Sequence, residues 1–539
     1  MLRQPVSPPI HCTAKKVKQF RNFIINPHRH PLNTKNAHIQ GGITVQNLSE
    51  PIIRNIVEEV IARIKTGTPR QAPVGCPGNA AHYAPVTNTP RSFRGYNGLF
   101  SDPNDAVTAA KAAFEELQYR TVAERKAIID IIRSIVIDQS VELGTLEMNE
   151  TKIGRLEHKI DKLTGLGQNA PGTEFRQTEI FTGDHGLTII EHAPFGVIGA
   201  VSPVTHSLPT IANNAVNMIA SGNTVVVNPH PSGKRIAAEG VRRFNEMILR
   251  IHGIDNLVNV IVEPTMQTAD IIFKHPDISL IVVTGGPGVA KAAMSQSKRA
   301  IVAGPGNPPV VVDETADLDR AARSIIYAGA YDNNLLCLAE KEAFVVESVF
   351  DAMMKAMERA GAVRLNAAET DTMTRKGITE TGEGAGRHFV PSRDFLGKDA
   401  KVLASGIGKN VSDSVTLLFG ETDESNPFVP VEQMMPFIPF VRVRNVDEGI
   451  ALAKKHEHGF RHTAVIHSNN VDTITRMAKE LNTTIFVTNG ASSLGNGGGP
   501  AGWSSFSIAG PTGEGITNPM TFTRSRRYTH CGSLHILGK

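Results

Sequence analysis

The side chain with the most reactive chemistry in this sequence is that of Cys337, in the segment YDNNLLCLAEKEAFVV. The segment lies between a predicted helix and a predicted strand, where a scaffold can hold an exposed side chain in place. A thiolate is a strong nucleophile, and backbone N–H groups or nearby cations favour that charged form. The other cysteines, Cys12, Cys76 and Cys531, are far apart and form no C-x-x-C pair, so no disulfide framework is predicted. A lone cysteine is more often buried and inert, so the assignment of Cys337 depends on the surrounding motif.

Two further segments suggest ligand chemistry at first sight. The run KKHEHGFRHTAVIHS contains His456, Glu457, His458 and His462, but it passes from a predicted helix into a predicted strand. The imidazoles need not converge there, and we predict no metal site. The run GNGGGP at 495–500 is not followed by G-K-[ST], so we predict a tight turn rather than a phosphate-binding loop.

The composition excludes several classes of function. The chain has 539 residues, of which 40% are hydrophobic and 20% charged, enough for large cores. There are 56 Lys and Arg against 52 Asp and Glu, and only the first 35 residues are locally basic, so nucleic-acid binding is not predicted. No apolar run reaches the roughly 18 residues of a membrane span, and no secretory signal opens the chain. We therefore expect an intracellular protein, without a partner membrane.

The elements that would position Cys337 follow an alternating pattern from about residue 91 onwards. Short apolar runs alternate with helical patterns, which indicates an α/β fold with parallel sheets buried on both faces. Ligands in such sheets bind beyond the carboxyl ends of the strands. The first block has predicted strands at 196–201, 224–229, 258–263, 278–285 and 300–304, with helices near 208–220, 233–250, 266–275 and 288–297. A second block opens at PVVVDE, continues with a helix over 317–330 and a strand over 342–348, and ends near residue 468.

The N-terminal part has a different organisation. We predict a disordered tail over residues 1–46, an amphipathic helix over 47–66, and a Pro/Gly-rich linker over 67–90. Seven apolar residues form one stripe of the helix: Ile52, Ile53, Ile56, Val57, Val60, Ile61 and Ile64. The helix either docks on its own globular body or is a detachable peptide that binds the groove of a partner.

Six segments occur in the order typical of the NAD(P)-dependent aldehyde dehydrogenase superfamily, over about residues 91–525. They are GVIGAVSPVTHSLP, TVVVNPHP, VTGGPGVA, AGPGNPPVVVD, NNLLCLAEK and PVEQMMPFIPFVRV. The resemblance implies a Rossmann-like cofactor domain over 91–310, an α/β catalytic domain over 311–500, and a C-terminal oligomerisation segment over 501–539. A β flap would combine the hairpin at 175–195 with the strand region near 520–530.

The resemblance also implies roles for individual residues. Cys337 would be the nucleophile that adds to the aldehyde carbonyl. Thr284 and Gly285 would pack against the NAD cofactor, and Glu432 would bind the nicotinamide ribose. Pro203 and Asn228 would line the cofactor site, with Asn228 where many relatives have Lys.

One departure from the hydrolytic relatives suggests the fate of the acyl group. Those enzymes carry a Glu in an E-L-G-G-K motif that activates water, whereas this chain has Ala303 in Ala303-Gly304-Pro305-Gly306-Asn307. Alanine cannot accept a proton, and a thiol needs less activation than water, which favours coenzyme A as the acyl acceptor. Acylating relatives commonly have P-x-T-N-P where this chain has PVTHS, so either Thr205 or His206 would donate to the oxyanion.

Together these features resemble the CoA-acylating aldehyde dehydrogenases of bacterial microcompartments, of the propionaldehyde dehydrogenase type. That resemblance implies a short-chain aldehyde substrate, with propionaldehyde first and acetaldehyde as the near neighbour. It also implies a homodimer or homotetramer, and binding to a microcompartment shell protein through residues 49–65. Two alternatives remain: a hydrolytic aldehyde or semialdehyde dehydrogenase that releases a free acid, and a catalytically silent shell adaptor.

Overall fold

The computed structural model describes residues 95–382, 387–497 and 502–534. The predicted tail, amphipathic helix and linker of residues 1–90 lie outside these ranges. The described chain begins with a short strand, β1 (Leu99–Phe100), and four helices. These helices are α1 (Pro103–Leu117), α2 (Val122–Asp138), α3 (Ser140–Thr151) and α4 (Leu156–Asn169). None of the helices in the described ranges is both long enough and apolar enough to span a membrane.

A six-stranded parallel sheet forms the first half of the body. Its strands are almost wholly buried, which their continuous β-branched runs require because helices cover both faces. The sheet contains β1, β4 (Val197–Ser202), β5 (Thr224–Pro229), β6 (Val258–Ile261), β7 (Ile278–Thr284) and β8 (Ala300–Ala303), in the order β1-β6-β5-β4-β7-β8. The connecting helices are α5 (Ser207–Ala220), α6 (Lys234–His252), α7 (Met266–Lys274) and α8 (Pro287–Met294).

A seven-stranded parallel sheet forms the second half. Its strands are β9 (Pro309–Val312), β10 (Glu342–Val346), β11 (Val363–Leu365), β14 (Leu418–Thr422), β15 (Phe437–Val443), β16 (Thr463–His467) and β17 (Ile485–Thr488). They lie in the order β11-β14-β15-β10-β9-β16-β17. Helices α9 (Leu318–Ala330), α10 (Glu347–Arg359), α11 (Ala367–Gly377), α12 (Ala400–Gly406), α13 (Val446–His456) and α14 (Val471–Leu481) belong to this half, together with the antiparallel pair β12 (Ile378–Thr381) and β13 (His388–Pro391). The two parallel sheets confirm the predicted α/β class. The division at residue 310 remains a prediction, and β9 begins at Pro309, just before it.

A three-stranded antiparallel sheet joins two distant parts of the sequence. It consists of β2 (Glu179–Gly183), β3 (Gly186–Pro194) and β20 (Thr523–Cys531). β3 pairs with β20 along its whole length, so the hairpin at 175–195 and the C-terminal strand do share one sheet, as predicted. A further short pair, β18 (Ile508–Ala509) and β19 (Gly515–Ile516), precedes β20. The oligomerisation role of this flap stays a prediction.

Candidate active site

Cys337 follows a turn whose backbone is left-handed at three consecutive residues. Asp332, Asn333 and Asn334 have φ values of 48°, 56° and 64°. Asp and Asn tolerate this region better than most residues because their short polar side chains bond locally. Lys341 holds the turn from the other side, since its Nζ donates to the Asn334 backbone carbonyl at 2.8 Å and to the Asn334 side-chain oxygen. Cys337 therefore follows a turn with a fixed shape.

The segment that contains the predicted oxyanion donors lies between β4 and α5. His206 precedes α5 and is buried, with its ring 5.5 Å from the ring of Phe506. Burial holds the pKa of His206 well below its ordinary value, so the imidazole is neutral. The backbone N–H of Ser207 donates to the Glu147 side chain at 3.2 Å, which satisfies one of the free N–H groups at the start of α5. A neutral imidazole keeps one N–H, so His206 can donate a hydrogen bond.

All the residues predicted for the site line one cavity of about 400 Å³. This cavity lies at the carboxyl ends of β4, β5, β7 and β8, as the rule for parallel sheets requires. The structure thus brings the predicted residues together, although their roles remain predictions. They are Pro203, Thr205, His206, Asn228, Thr284, Gly285, Cys337 and Glu432.

The side chains of two of these residues, Asn228 and Thr284, form hydrogen bonds with other side chains of the protein. The Asn228 side-chain oxygen accepts from the Thr268 hydroxyl at 2.6 Å, which ties β5 to α7. The Thr284 hydroxyl lies 2.7 Å from that of Ser507. Both side chains are therefore pre-positioned at the cavity wall.

A second cavity, of about 330 Å³, reaches Cys337 from another side. Its wall includes α4 and residues from 493–497 and 504–508. It carries several polar side chains, among them those of Thr164, Gln168, Asn169 and Asn496. Cys337 and His206 line both cavities. One thiol can thus meet one molecule from each side, which an acyl-transfer or hydride-transfer reaction requires.

The surroundings of Cys337 shift the pKa of its thiol in opposite directions. Burial, followed by the Glu432 carboxylate, raises the pKa of the thiol to about 12, while Lys341 and Lys162 act in the opposite direction. The sequence predicts that donors and cations favour the thiolate, and in this structure burial outweighs them. Burial also raises the pKa of Glu432 to about 7, against the attraction of Lys341 and a hydrogen bond from the Gly306 backbone.

The stretch in which we expect hydrolytic relatives to carry a water-activating Glu lies beside Cys337. Ala303 ends β8 and lines the first cavity together with Cys337. Three residues on, Gly306 is in such close contact that an added Cβ would overlap the Cys337 carbonyl oxygen. Position 303 therefore borders the reaction site, and its side chain has no proton acceptor.

Sequence reasoning missed several residues of the site. Lys341 follows Cys337 by only four residues, and this spacing could have indicated that the two side chains lie close together. Nothing in the sequence indicated that Lys162 on α4 lies near Cys337. His462, which the sequence suggested only as a metal ligand, is buried with its ring against Gly306, and burial lowers its pKa to about 4. Among the described residues, no group of three or more His, Cys, Asp or Glu side chains could hold a metal ion.

The sequence matches curated proteins over most of its length. The chain is 44% identical over 434 residues to an acetaldehyde dehydrogenase (acetylating) of Salmonella typhimurium, covering 80% of this chain and 91% of the relative. It is 37% identical over 479 residues to a propanal dehydrogenase (CoA-propanoylating) of the same organism, covering 89% of this chain and 97% of the relative.

Solved structures of propionaldehyde dehydrogenases are also similar to this chain. A propionaldehyde dehydrogenase of Rhodopseudomonas palustris, with bound CoA and an acylated cysteine, superposes with a TM-score of 0.79 at 38% identity, covering 82% of this chain and 100% of that one. A propionaldehyde dehydrogenase from the fucose utilisation bacterial microcompartment of Clostridium phytofermentans gives a TM-score of 0.78 at 39% identity, covering 81% and 99%. The model of the aldehyde dehydrogenase family matches residues 98–519. This chain therefore belongs to the aldehyde dehydrogenase family.

Proposed function

We propose that this protein is a CoA-acylating aldehyde dehydrogenase, which converts a short-chain aldehyde into its acyl-CoA with NAD as hydride acceptor. The observation that carries the proposal is the position of Cys337 between two cavities, with Ala303 where hydrolytic relatives would have the water-activating Glu. The names of the relatives, acetylating and CoA-propanoylating dehydrogenases, support it.

The nucleophilic step uses Cys337. Its thiolate adds to the carbonyl carbon of an aldehyde in the second cavity, and the carbonyl oxygen becomes an oxyanion. The Thr205 side chain, the His206 ring and the Cys337 backbone N–H are the candidate donors to that oxygen. After hydride leaves the same carbon, Cys337 holds the acyl group as a thioester.

The first cavity suits a dinucleotide. Gly286 and Gly288 at the start of α8 have open space where a Cβ would lie, so a phosphate group can approach this backbone. Thr284, Gly285, Pro203 and Asn228 would line the bound cofactor, and Glu432 would accept hydrogen bonds from the ribose hydroxyls. NAD, when bound, supplies the acceptor for the hydride.

The way in which the acyl group is released distinguishes the proposed reaction from the hydrolytic alternative. Ala303 cannot activate water, so the thiol of CoA attacks the thioester carbonyl instead. The bond between the acyl carbon and Cys337 Sγ breaks, Cys337 regains a thiol with the proton that CoA loses, and the acyl group leaves as acyl-CoA. The hydrolytic alternative would need another base, and Glu432 is a carboxylate that lines the same cavity. If Glu432 performed that role, Glu432→Gln would abolish acid formation.

The decisive experiment follows the products. Purified protein is incubated with propanal, acetaldehyde or butanal and with NAD or NADP, with and without CoA, and the products are identified by mass spectrometry. We expect acyl-CoA to form in a CoA-dependent reaction, with propanal and acetaldehyde preferred. Free acid formed at the same rate with or without CoA would refute the proposal. Cys337→Ala should abolish turnover, and an adaptor without catalytic activity would show no turnover in either form.

We propose further that copies of this chain associate through the flap sheet. Strand β2 is exposed along its length, and its Ile180 and Phe181 are 61% and 56% exposed. Two adjacent apolar residues on an edge strand favour pairing with another copy. Light scattering should give the mass of a dimer or tetramer, and Phe181→Asp should lower it.

Residues 49–65 are proposed to bind a shell protein of a bacterial microcompartment. The apolar stripe of the predicted helix supports this proposal, as does the microcompartment origin of one structural relative. A fusion of residues 47–66 to a fluorescent protein, expressed with shells, should co-localise with them. Diffuse fluorescence, or unchanged localisation after Ile56→Asp with Val60→Asp, would contradict the proposal. Loss of turnover after deletion of residues 1–66 would instead favour a helix docked on its own body.

A further inference from the structure

Two lysines on α4 have no access to solvent. The Lys159 and Lys162 side chains are 0% and 2% exposed. Both donate to the backbone carbonyl of Thr205, at 3.0 and 3.2 Å. Lys162 also forms an ion pair and hydrogen bond with the Asp332 carboxylate, and Lys159 lies 3.7 Å from the same carboxylate. The two ammonium groups therefore connect the oxyanion segment to the turn before Cys337.

Two buried carboxylates balance these charges. Asp332 and Glu147 are 0% and 1% exposed, and Glu147 lies 3.6 Å from the Lys159 ammonium. Asp332 also accepts from the Arg155 backbone N–H at 2.8 Å. A buried charge is tolerated only when it is paired and hydrogen-bonded, and the removal of one partner leaves the other uncompensated. These four groups thus form one unit, two amino groups and two carboxyl groups, that links α3, α4, the oxyanion segment and the cysteine turn.

The unit lies next to the reacting atoms. Lys162 lines the second cavity together with Cys337 and His206. Asp332 is the first of the three left-handed residues before Cys337, and Thr205 directly precedes His206. A shift of the Lys162 ammonium would move both loops, because it bonds to each of them.

We infer that Lys162, with Lys159, is a positioning residue that fixes the distance between the oxyanion donors and Cys337. The inference rests on the proposed function. Lys162 bonds to a carbonyl of one loop and a carboxylate of the other, so it sets their separation without contacting the cofactor cavity. Displacements of about 1 Å at a reacting centre cost up to roughly 100-fold in rate. Loss of this bridge should therefore reduce turnover and leave NAD binding unchanged.

The test compares Lys162→Met with Lys162→Arg and with Lys126→Met, a matched control that removes an exposed lysine paired with Asp130 on α2. We expect Lys162→Met to lower kcat at least about tenfold with the KM for NAD within twofold. The control should match the wild type. Lys162→Arg keeps the charge and should recover part of kcat. The alkylation rate of Cys337 at fixed pH should also fall in Lys162→Met, because a cation near the thiolate is lost.

Each outcome is decisive. Wild-type kcat in Lys162→Met, or a kcat loss accompanied by an equal rise in the KM for NAD, would overturn the inference. If Lys162→Met does not fold, Lys162→Arg is the deciding variant: a lower kcat at unchanged Tm supports positioning, and full kcat overturns it. Absence of CoA-dependent turnover in the wild type would instead refute the proposed function, so the two failures are distinguishable.

Discussion

The environment of Cys337 disfavours its thiolate, and this property can be measured directly. With a pKa of about 12, roughly one thiol in 10,000 is ionised at pH 8, compared with about one in four for an unperturbed cysteine. Alkylation of the wild-type thiol should therefore be slow and should increase about tenfold per pH unit, with no plateau up to about pH 10.

The Glu432 carboxylate contributes to this effect, and its removal should accelerate alkylation. Its pKa of about 7 means that about nine-tenths of the Glu432 side chains are charged at pH 8. Each unit by which Glu432→Gln lowers the pKa of the thiol raises the thiolate fraction about tenfold. A less basic thiolate is less nucleophilic, so the net acceleration should be about threefold for each such unit. At pH 5.5, where Glu432 is mostly protonated in the wild type, the two proteins should react at similar rates.

The assay is alkylation by iodoacetamide, followed peptide by peptide with mass spectrometry so that Cys531 is counted separately. Cys337→Ala verifies the assignment of the peptide. Glu340→Gln is the matched control, because burial also raises the pKa of Glu340 to about 7, but its carboxylate bonds to Ser492. A plateau of the wild-type rate below pH 9, or equal rates for Glu432→Gln and the wild type at pH 8, would refute this reasoning.

Three further predictions concern other positions. Ala303→Glu places a carboxylate beside Cys337 and should divert part of the thioester to free acid, measured as the ratio of acid to acyl-CoA; an unchanged ratio relative to Ala303→Gln would contradict it. Gly306→Ala should lower the free energy of unfolding, measured in urea, by about 1–3 kcal/mol, because its Cβ would overlap the Cys337 carbonyl. In the control Gly304→Ala the nearest atom to the added Cβ lies at 3.5 Å, so the effect should be smaller. Arg242 and Arg243 lower the pKa of Glu239 to about 2, so its stabilisation is present above about pH 4.5 and is lost as the pH falls towards 2. Glu239→Gln should accordingly cost about 1 kcal/mol at pH 7 and nothing near pH 2, and an equal cost at both values would contradict the assignment.

Several features of this protein could be predicted from local sequence. Continuous β-branched runs such as TVVVNP form buried parallel strands, and β5 (Thr224–Pro229) begins and ends where the pattern predicts. The ends of those strands place Pro203, Asn228 and Thr284 at one edge, because parallel strands share a direction. The order of the motifs identified Cys337 and Ala303 as site residues. Both lie at the ends of helices or strands that the local sequence predicts.

Tertiary structure decided the features that depend on contacts between distant residues. Lys159 and Lys162 are spaced three apart on an amphipathic helix, a pattern that normally indicates a solvated face. They are buried only because α4 packs against the loops that contain Thr205 and Asp332, more than 40 and about 170 residues away. The raised pKa of Cys337 has the same origin, because Glu432 approaches from a strand connection almost 100 residues later. Periodicity and motif spacing report local structure, whereas burial and electrostatic pairing arise only when distant elements pack together.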